Sequence, residues 1–438
     1  MRPASCLCLA AIVLTIAPLA SAAQAPPDSA ARPGAAVSPD SADRIRASLD
    51  RPAARPAPDA LDAATLPLRL LVLPLVAVGY GVTELVGLYS PAEVSFTDRY
   101  IAPLIRWGVW PTIGSFGPRS GFLGLRVQMV RYRPFYIDAG VSVRQSLLLG
   151  FGLDIPGENR NLRVGYESRQ NPQLRFWGIG PNTPEDAESN YRGKRSLLFT
   201  SGFRRFGPLN VAGRLAFDQT AVGPGNHGSL PDIAETFNED SLYGASETTK
   251  YARLDADFSL DLTGSDGYQP TGVLFELGAN LFRGVAGTDS DYHQFRGRAV
   301  GYAPFNDRLA LAGQLIFAVT RPDGGHGIPF YGLAQLGDDV GGRAYSPGRF
   351  SDRDLAALMV DWRFEIWRDI HERVRMESFI FVDVGGVAAS MHRLSTSDLK
   401  PSYGFGWLFR RSAHLAFIAM LGFGDDGARF KIETKWPY

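Results

Sequence analysis

The chain has 438 residues, 45% hydrophobic and 21% charged, with 45 basic side chains against 45 acidic ones. These values exclude a wholly disordered chain and a polytopic helical membrane protein, and zero net charge gives no electrostatic reason to expect a nucleic-acid partner. Aromatics at 11%, with 48 glycines and 30 prolines, suit many strands and many turns better than helices.

In chain order, residues 1–22 read as a secretory signal. Arg2 supplies the positive end, Leu7 to Leu19 the apolar stretch, and Ala20-Ser21-Ala22 an A-x-A cleavage site. Both cysteines, Cys6 and Cys8, fall inside it. The mature chain would then carry no thiol, which excludes a disulfide framework and a Cys-based metal site. Residues 23–65, rich in Ala, Pro, Asp and Arg with no apolar period, read as a disordered linker. In residues 66–118 the charge-free run from Leu70 to Thr83 is interrupted by Pro74, Gly79 and Gly81. A spanning helix takes about 20 apolar residues, so this segment reads as a short amphipathic piece at a membrane surface or under the next domain.

Residues 119–438 alternate with period two. Ala252, Leu254, Ala256, Phe258, Leu260 and Leu262 interleave with Arg253, Asp255, Asp257, Ser259 and Asp261. Ala356, Leu358, Val360, Trp362, Phe364 and Ile366 do the same against a face that carries Asp361. Such runs exceed the roughly 5–6 residues of strands in soluble proteins and match the roughly 9–11 of a tilted membrane strand. An open sheet cannot cross a bilayer with its edges unsatisfied, so the prediction is a closed antiparallel outer-membrane β-barrel. Sixteen strands are predicted, the first at 121–131, the fifth at 173–180 and the last at 428–436, an even count as in bacterial barrels. Short connections such as Gly207-Pro208 fall at one rim, predicted periplasmic together with both termini. The long connections 220–247, 321–353 and 386–400 fall at the other. Asp361 and Asp383 are predicted lumen-facing neighbours on adjacent strands, whose mutual repulsion calls for a cation; a guanidinium from the inward-folded 321–353 loop can bridge both.

Four segments resemble the BamA/TamA superfamily of outer-membrane barrels, the bacterial surface antigen family. They are RFWGIGPNTPEDAESNY (Arg175 to Tyr191), IPFYGLAQLGDDVGGRAYSPGRF (Ile328 to Phe350), MVDWRFEIW (Met359 to Trp367) and FVDVGG (Phe381 to Gly386). The resemblance implies a loop locked into the lumen through Arg343 and Tyr345, with Asp361, Asp383 and Gly385 on the facing strands. Ala344 and Asp338 stand where the family carries glycines, and the family's periplasmic POTRA repeats have no room before the barrel. The implied role is insertion or translocation of proteins or lipids at the outer membrane. The alternatives are a passive or gated channel and a surface anchor or antigen. Implied partners are outer-membrane lipids, including lipopolysaccharide, and a periplasmic or outer-membrane client protein.

The six histidines are scattered without ligand spacing, and no nucleophile elbow or phosphate-binding loop is present. No enzyme, cofactor or metal is expected. A chain lacking residues 23–65 is predicted to reach the membrane and fold, because that composition buries no core. A deletion product in the membrane without a heat-modifiable band on gels would refute this.

Overall fold

The structure, a computed structural model, describes residues 109–113, 124–129, 134–142, 144–238, 242–266, 269–306, 308–325, 327–368, 374–411 and 414–433. The signal, the linker, residues 66–108 and the terminal Pro437-Tyr438 lie outside the described residues.

The alternating runs form one antiparallel sheet of sixteen strands in chain order. Its first eleven are β1 (Val109–Ile113), β2 (Gly124–Met129), β3 (Phe135–Ser142), β4 (Leu147–Pro156), β5 (Arg160–Phe176), β6 (Ser189–Phe206), β7 (Leu209–Pro224), β8 (Thr249–Asp266), β9 (Gln269–Gly284), β10 (Ser290–Asn306) and β11 (Leu309–Gly325). A two-stranded piece follows in the connecting loop, β12 (Ala334–Leu336) with β13 (Phe350–Asp352). The sheet then resumes with β14 (Asp354–Arg368), β15 (Val374–Ala388), β16 (Lys400–Arg411), β17 (His414–Gly424) and β18 (Gly427–Glu433).

The count of sixteen agrees with the sequence, but two placements differ. The stretch 173–180 is not a strand of its own: β5 runs through to Phe176, with a register shift between Asn171 and Leu174 where Pro172 cannot donate to the ladder. The sheet also begins earlier than 121–131, with Val109–Ile113 paired to β2. One strand too many was balanced by one too few, so the even count held for a partly wrong reason.

The two faces of the sheet have exchanged their usual environments. Asp361, Asp383, Glu377 and Ser402 on the inner face are fully buried, whereas their outward neighbours Trp362, Ile380 and Val382 are more than half exposed. Leu254, Phe258 and Leu262 are likewise exposed beside buried Asp255. Polar inside and apolar outside is the pattern of a transmembrane β-barrel, whose outer wall is solvated by lipid. Among the described residues no helix is long and apolar enough to cross a membrane.

The rims are unequal. At one end β6 and β7, and likewise β10 and β11, are joined by two residues; at the other the connections 177–188, 225–248, 326–353 and 389–399 are long. Two of the long connections meet over the ends of β5 and β6 in an apolar cluster. Phe330 lies 5.0 Å from the ring of Phe176 and 5.0 Å from that of Tyr191, with Ile233 and Leu242 packed alongside.

Leu277 sits mid-strand on β9 and is 57% exposed. In a soluble protein an exposed Leu→Arg change is usually worth less than about 0.5 kcal/mol. Here Leu277→Arg is expected to cost about 2–4 kcal/mol, read as a lower urea midpoint for loss of the heat-modifiable form. An unchanged midpoint would mean that the outer wall is not solvated by lipid.

Candidate functional site

The 326–353 loop enters the space enclosed by the sheet and carries Arg343 to the wall formed by β14 and β15. The register Met359↔Asp383 and Asp361↔Phe381 puts the two aspartates one pair apart, diagonally across adjacent strands on the inner face. Arg343 lies between them. Its Nη1 is 2.6 Å from Asp361 Oδ1; its Nη2 donates to Asp383 Oδ1 at 2.6 Å and its Nε to Asp383 Oδ2 at 3.1 Å. The Arg343 backbone N–H also donates to Asp383 Oδ2 at 2.9 Å, and Ser402 Oγ on β16 donates to the same oxygen at 3.0 Å. The guanidinium lies 4.0 Å from the centroid of the Phe381 ring, adding a cation–π contact. All three charged side chains are fully buried. At such burial each charge is tolerable only because the others are there.

The glycines around this cluster make the approach possible. Gly341 has φ +81, and a Cβ there would stand 2.2 Å from Ala357 Cβ on β14. Gly385 on β15 faces inward, where a Cβ would come within 2.4 Å of Leu336 Cδ1 and 2.9 Å of Gly341 O. Asp338 also has left-handed backbone, φ +59, a conformation aspartate tolerates better than most residues. Its side chain accepts a hydrogen bond from Lys431 on β18, and Arg429 Nη1 is 3.5 Å away. Burial raises the Asp338 carboxyl above its ordinary value, and Lys431 opposes the rise.

Tyr345 sits with its ring edge-on to Phe350 at 5.3 Å and its hydroxyl donating to Pro401 O at 2.8 Å. The Tyr345 hydroxyl oxygen in turn accepts from Asp425 N at 3.2 Å, in the turn between β17 and β18. Burial raises the phenol above its ordinary value. Ala334, Leu336, Tyr345 and Phe350 pack against Leu355, Ala357 and Val387, so the loop has an apolar core of its own against the β14–β15 wall.

With this geometry in view, comparison with known proteins is informative at the level of fold. No protein-family model and no curated protein matches the sequence. The solved structure of BamA from Haemophilus ducreyi lacking POTRA domains 1-3 matches with a TM-score of 0.54 at 14% identity, over 75% of this chain and 75% of that one. The chain has the fold of BamA. CdiB from Escherichia coli is more remote, with a TM-score of 0.46 at 11% identity over 74% of this chain and 61% of that one. The BamA-type barrel is the architecture that the four motifs predicted.

Sequence reasoning missed three contributors. Arg363 Nη2 reaches Asp361 Oδ2 at 3.3 Å, so Asp361 has a second cation. The signal was present: Arg363 is two residues from Asp361 and therefore on the same face. Arg349, also in the loop, donates to Asp426 Oδ2 at 2.7 Å and to Thr183 Oγ1 at 2.9 Å, tying the β5–β6 and β17–β18 connections together. Lys431, which also reaches Asp339 at 2.9 Å and Glu433 at 2.5 Å, is the third. Nothing in sequence spacing brings Arg349 or Lys431 to these partners; the contacts span about 80–170 residues of chain.

Arg343→Ala is predicted to loosen the loop more than it unfolds the barrel. Removing one member of a buried ion cluster costs about 3–5 kcal/mol. Asp361 keeps Arg363, so the loss falls on Asp383. The measurable outcome is cleavage within 326–353 by added protease, with a smaller drop in heat-modifiable protein. Arg343→Lys should recover only part of the protection, since an ammonium cannot fork to two carboxylates. Wild-type protection in Arg343→Ala would reduce the arginine to a bystander.

Proposed function

We propose that this barrel resides in the outer membrane, with its short-turn rim in the periplasm, and takes part in inserting or translocating proteins or lipids there. The observation that carries the reading is the loop held inside the barrel by Arg343 against Asp361 and Asp383, on a BamA-type fold. A loop anchored by a buried charge cluster occupies lumen that a diffusion channel would leave free. A polar cavity of about 470 Å³ on the inner face is lined by both signs of charge. Arg253 there pairs with Asp255 at 2.6 Å and Asp218 at 3.3 Å, so the lining lacks the single-signed field of a selective pore.

A second support is the order of the sheet: its two ends are the first and last strands, β1 and β18, and the seam between them is the place in the wall where a passenger can enter. The long rim faces the exterior, as in bacterial barrels with short periplasmic turns and long outer loops.

The test is photo-crosslinking in intact cells from positions on β1 and β18, with a mid-barrel position on β9 as reference. Adducts with nascent membrane proteins or a periplasmic partner, formed from the sheet ends and not from β9, are expected. An absence of end-specific adducts, together with steady ion conductance in planar bilayers, would replace this reading with a channel.

A further inference from the structure

The outer wall of β5 to β11 is not smooth. A groove of about 820 Å³ runs across it. Arg283, Asp291 and Asp323 line its end on β9 to β11; its apolar part, on β6 to β8, has Leu198, Leu215, Phe217 and Leu254 as sides, all at least 41% exposed, with Thr200 and Ala252 lowering its floor. These residues share the outward face, because their sequence neighbours Leu197, Phe199, Tyr251 and Asp255 are buried inside. On a wall that must present apolar surface to lipid, such a groove fits acyl chain.

Directly above it, toward the long-loop rim, the same outward face turns basic. Lys250 is one outward step beyond Ala252 on β8, and Lys194 two steps beyond Leu198 on β6, with Arg192 next in line. Arg192 leans across β7 over Gly223, where a Cβ would lie 2.9 Å from its Nη2. Among the described residues no carboxylate pairs with Arg192, Lys194 or Lys250, whereas the neighbouring Arg283 is paired with Asp291. Cations left unpaired at the polar edge of an apolar wall are matched by phosphate, and three of them suit a headgroup with more than one phosphate.

We infer that this face is a binding site for a phosphorylated, multiply acylated glycolipid of the outer leaflet, its acyl chains in the groove and its phosphates on Arg192, Lys194 and Lys250. The choice of an outer-leaflet lipid rests on the orientation proposed above. That orientation is read separately by maleimide labelling of a Ser229→Cys variant in whole cells, because Ser229 lies in the exposed part of the β7–β8 connection.

The test is native mass spectrometry of the folded full chain released from detergent. It is titrated with the bis-phosphorylated, hexa-acylated glucosamine disaccharide that anchors lipopolysaccharide and, separately, with phosphatidylglycerol. The disaccharide is expected to stay bound preferentially. Each neutralised cation should weaken it about fivefold, and Lys194→Gln with Lys250→Gln about thirtyfold. Ala252→Trp, which fills the groove and leaves the charges intact, should weaken it too. Each variant is first checked for the heat-modifiable form; if Ala252→Trp fails to fold, Thr200→Leu serves instead. Undiminished binding in the double variant, or equal retention of phosphatidylglycerol, overturns the assignment.

Discussion

A guanidinium with no access to water, held between two carboxylates on adjacent strands, is the constraint on which the rest of this structure depends. An isolated charge in such a place would be costly; three together with complementary geometry are tolerated. Asp383 is the more demanding partner, because it takes both the side chain and the backbone N–H of Arg343 as well as the Ser402 hydroxyl. This fixes where the loop backbone stands, not only where its side chain reaches. The left-handed turns at Gly341 and Asp338 and the bare inner surface at Gly385 follow from bringing that backbone against the wall.

From this anchor the loop spreads outward. Tyr345 and Arg349 carry it to the β17–β18 turn, Arg349 continues to the β5–β6 connection, and Lys431 holds Asp338 from the last strand. The last strand of the sheet is thus gripped by side chains of a loop whose own footing is on β14 and β15. In a barrel the hydrophobic effect does not gather the interior, since the apolar surface faces lipid. Charge clusters and small apolar contacts of the loop do that ordering inside, and the aromatic cluster around Phe330 does it at the rim.

The outer wall shows the complementary principle. Its side chains need only be apolar, so variation in their size costs little and can shape a groove, while the basic Arg192, Lys194 and Lys250 lie toward the long-loop rim. Inside, the requirement is pairing; outside, it is depth.

Which face each residue takes was legible in the sequence, because the side-chain period of a strand is two and a one-residue slip would turn every apolar residue inward. That logic placed Leu254 and Trp362 outside and Asp361 and Asp383 inside, and it set the two aspartates near each other through the short β14–β15 turn. It failed at β1 and β5. The run 173–180 begins beyond a proline that interrupts the ladder without ending the strand, and Val109–Ile113 lies before the first alternating run. The resemblance pointed to Arg343 as the cation. What only the tertiary structure decided is how the loop lies: that Asp338 answers Lys431, that Arg363 shares Asp361, and that Arg349 bridges two distant connections. Alternation is a local rule that acts between residues two apart. The fold of a long loop is set by partners on strands far along the chain, whose positions exist only once the sheet has formed.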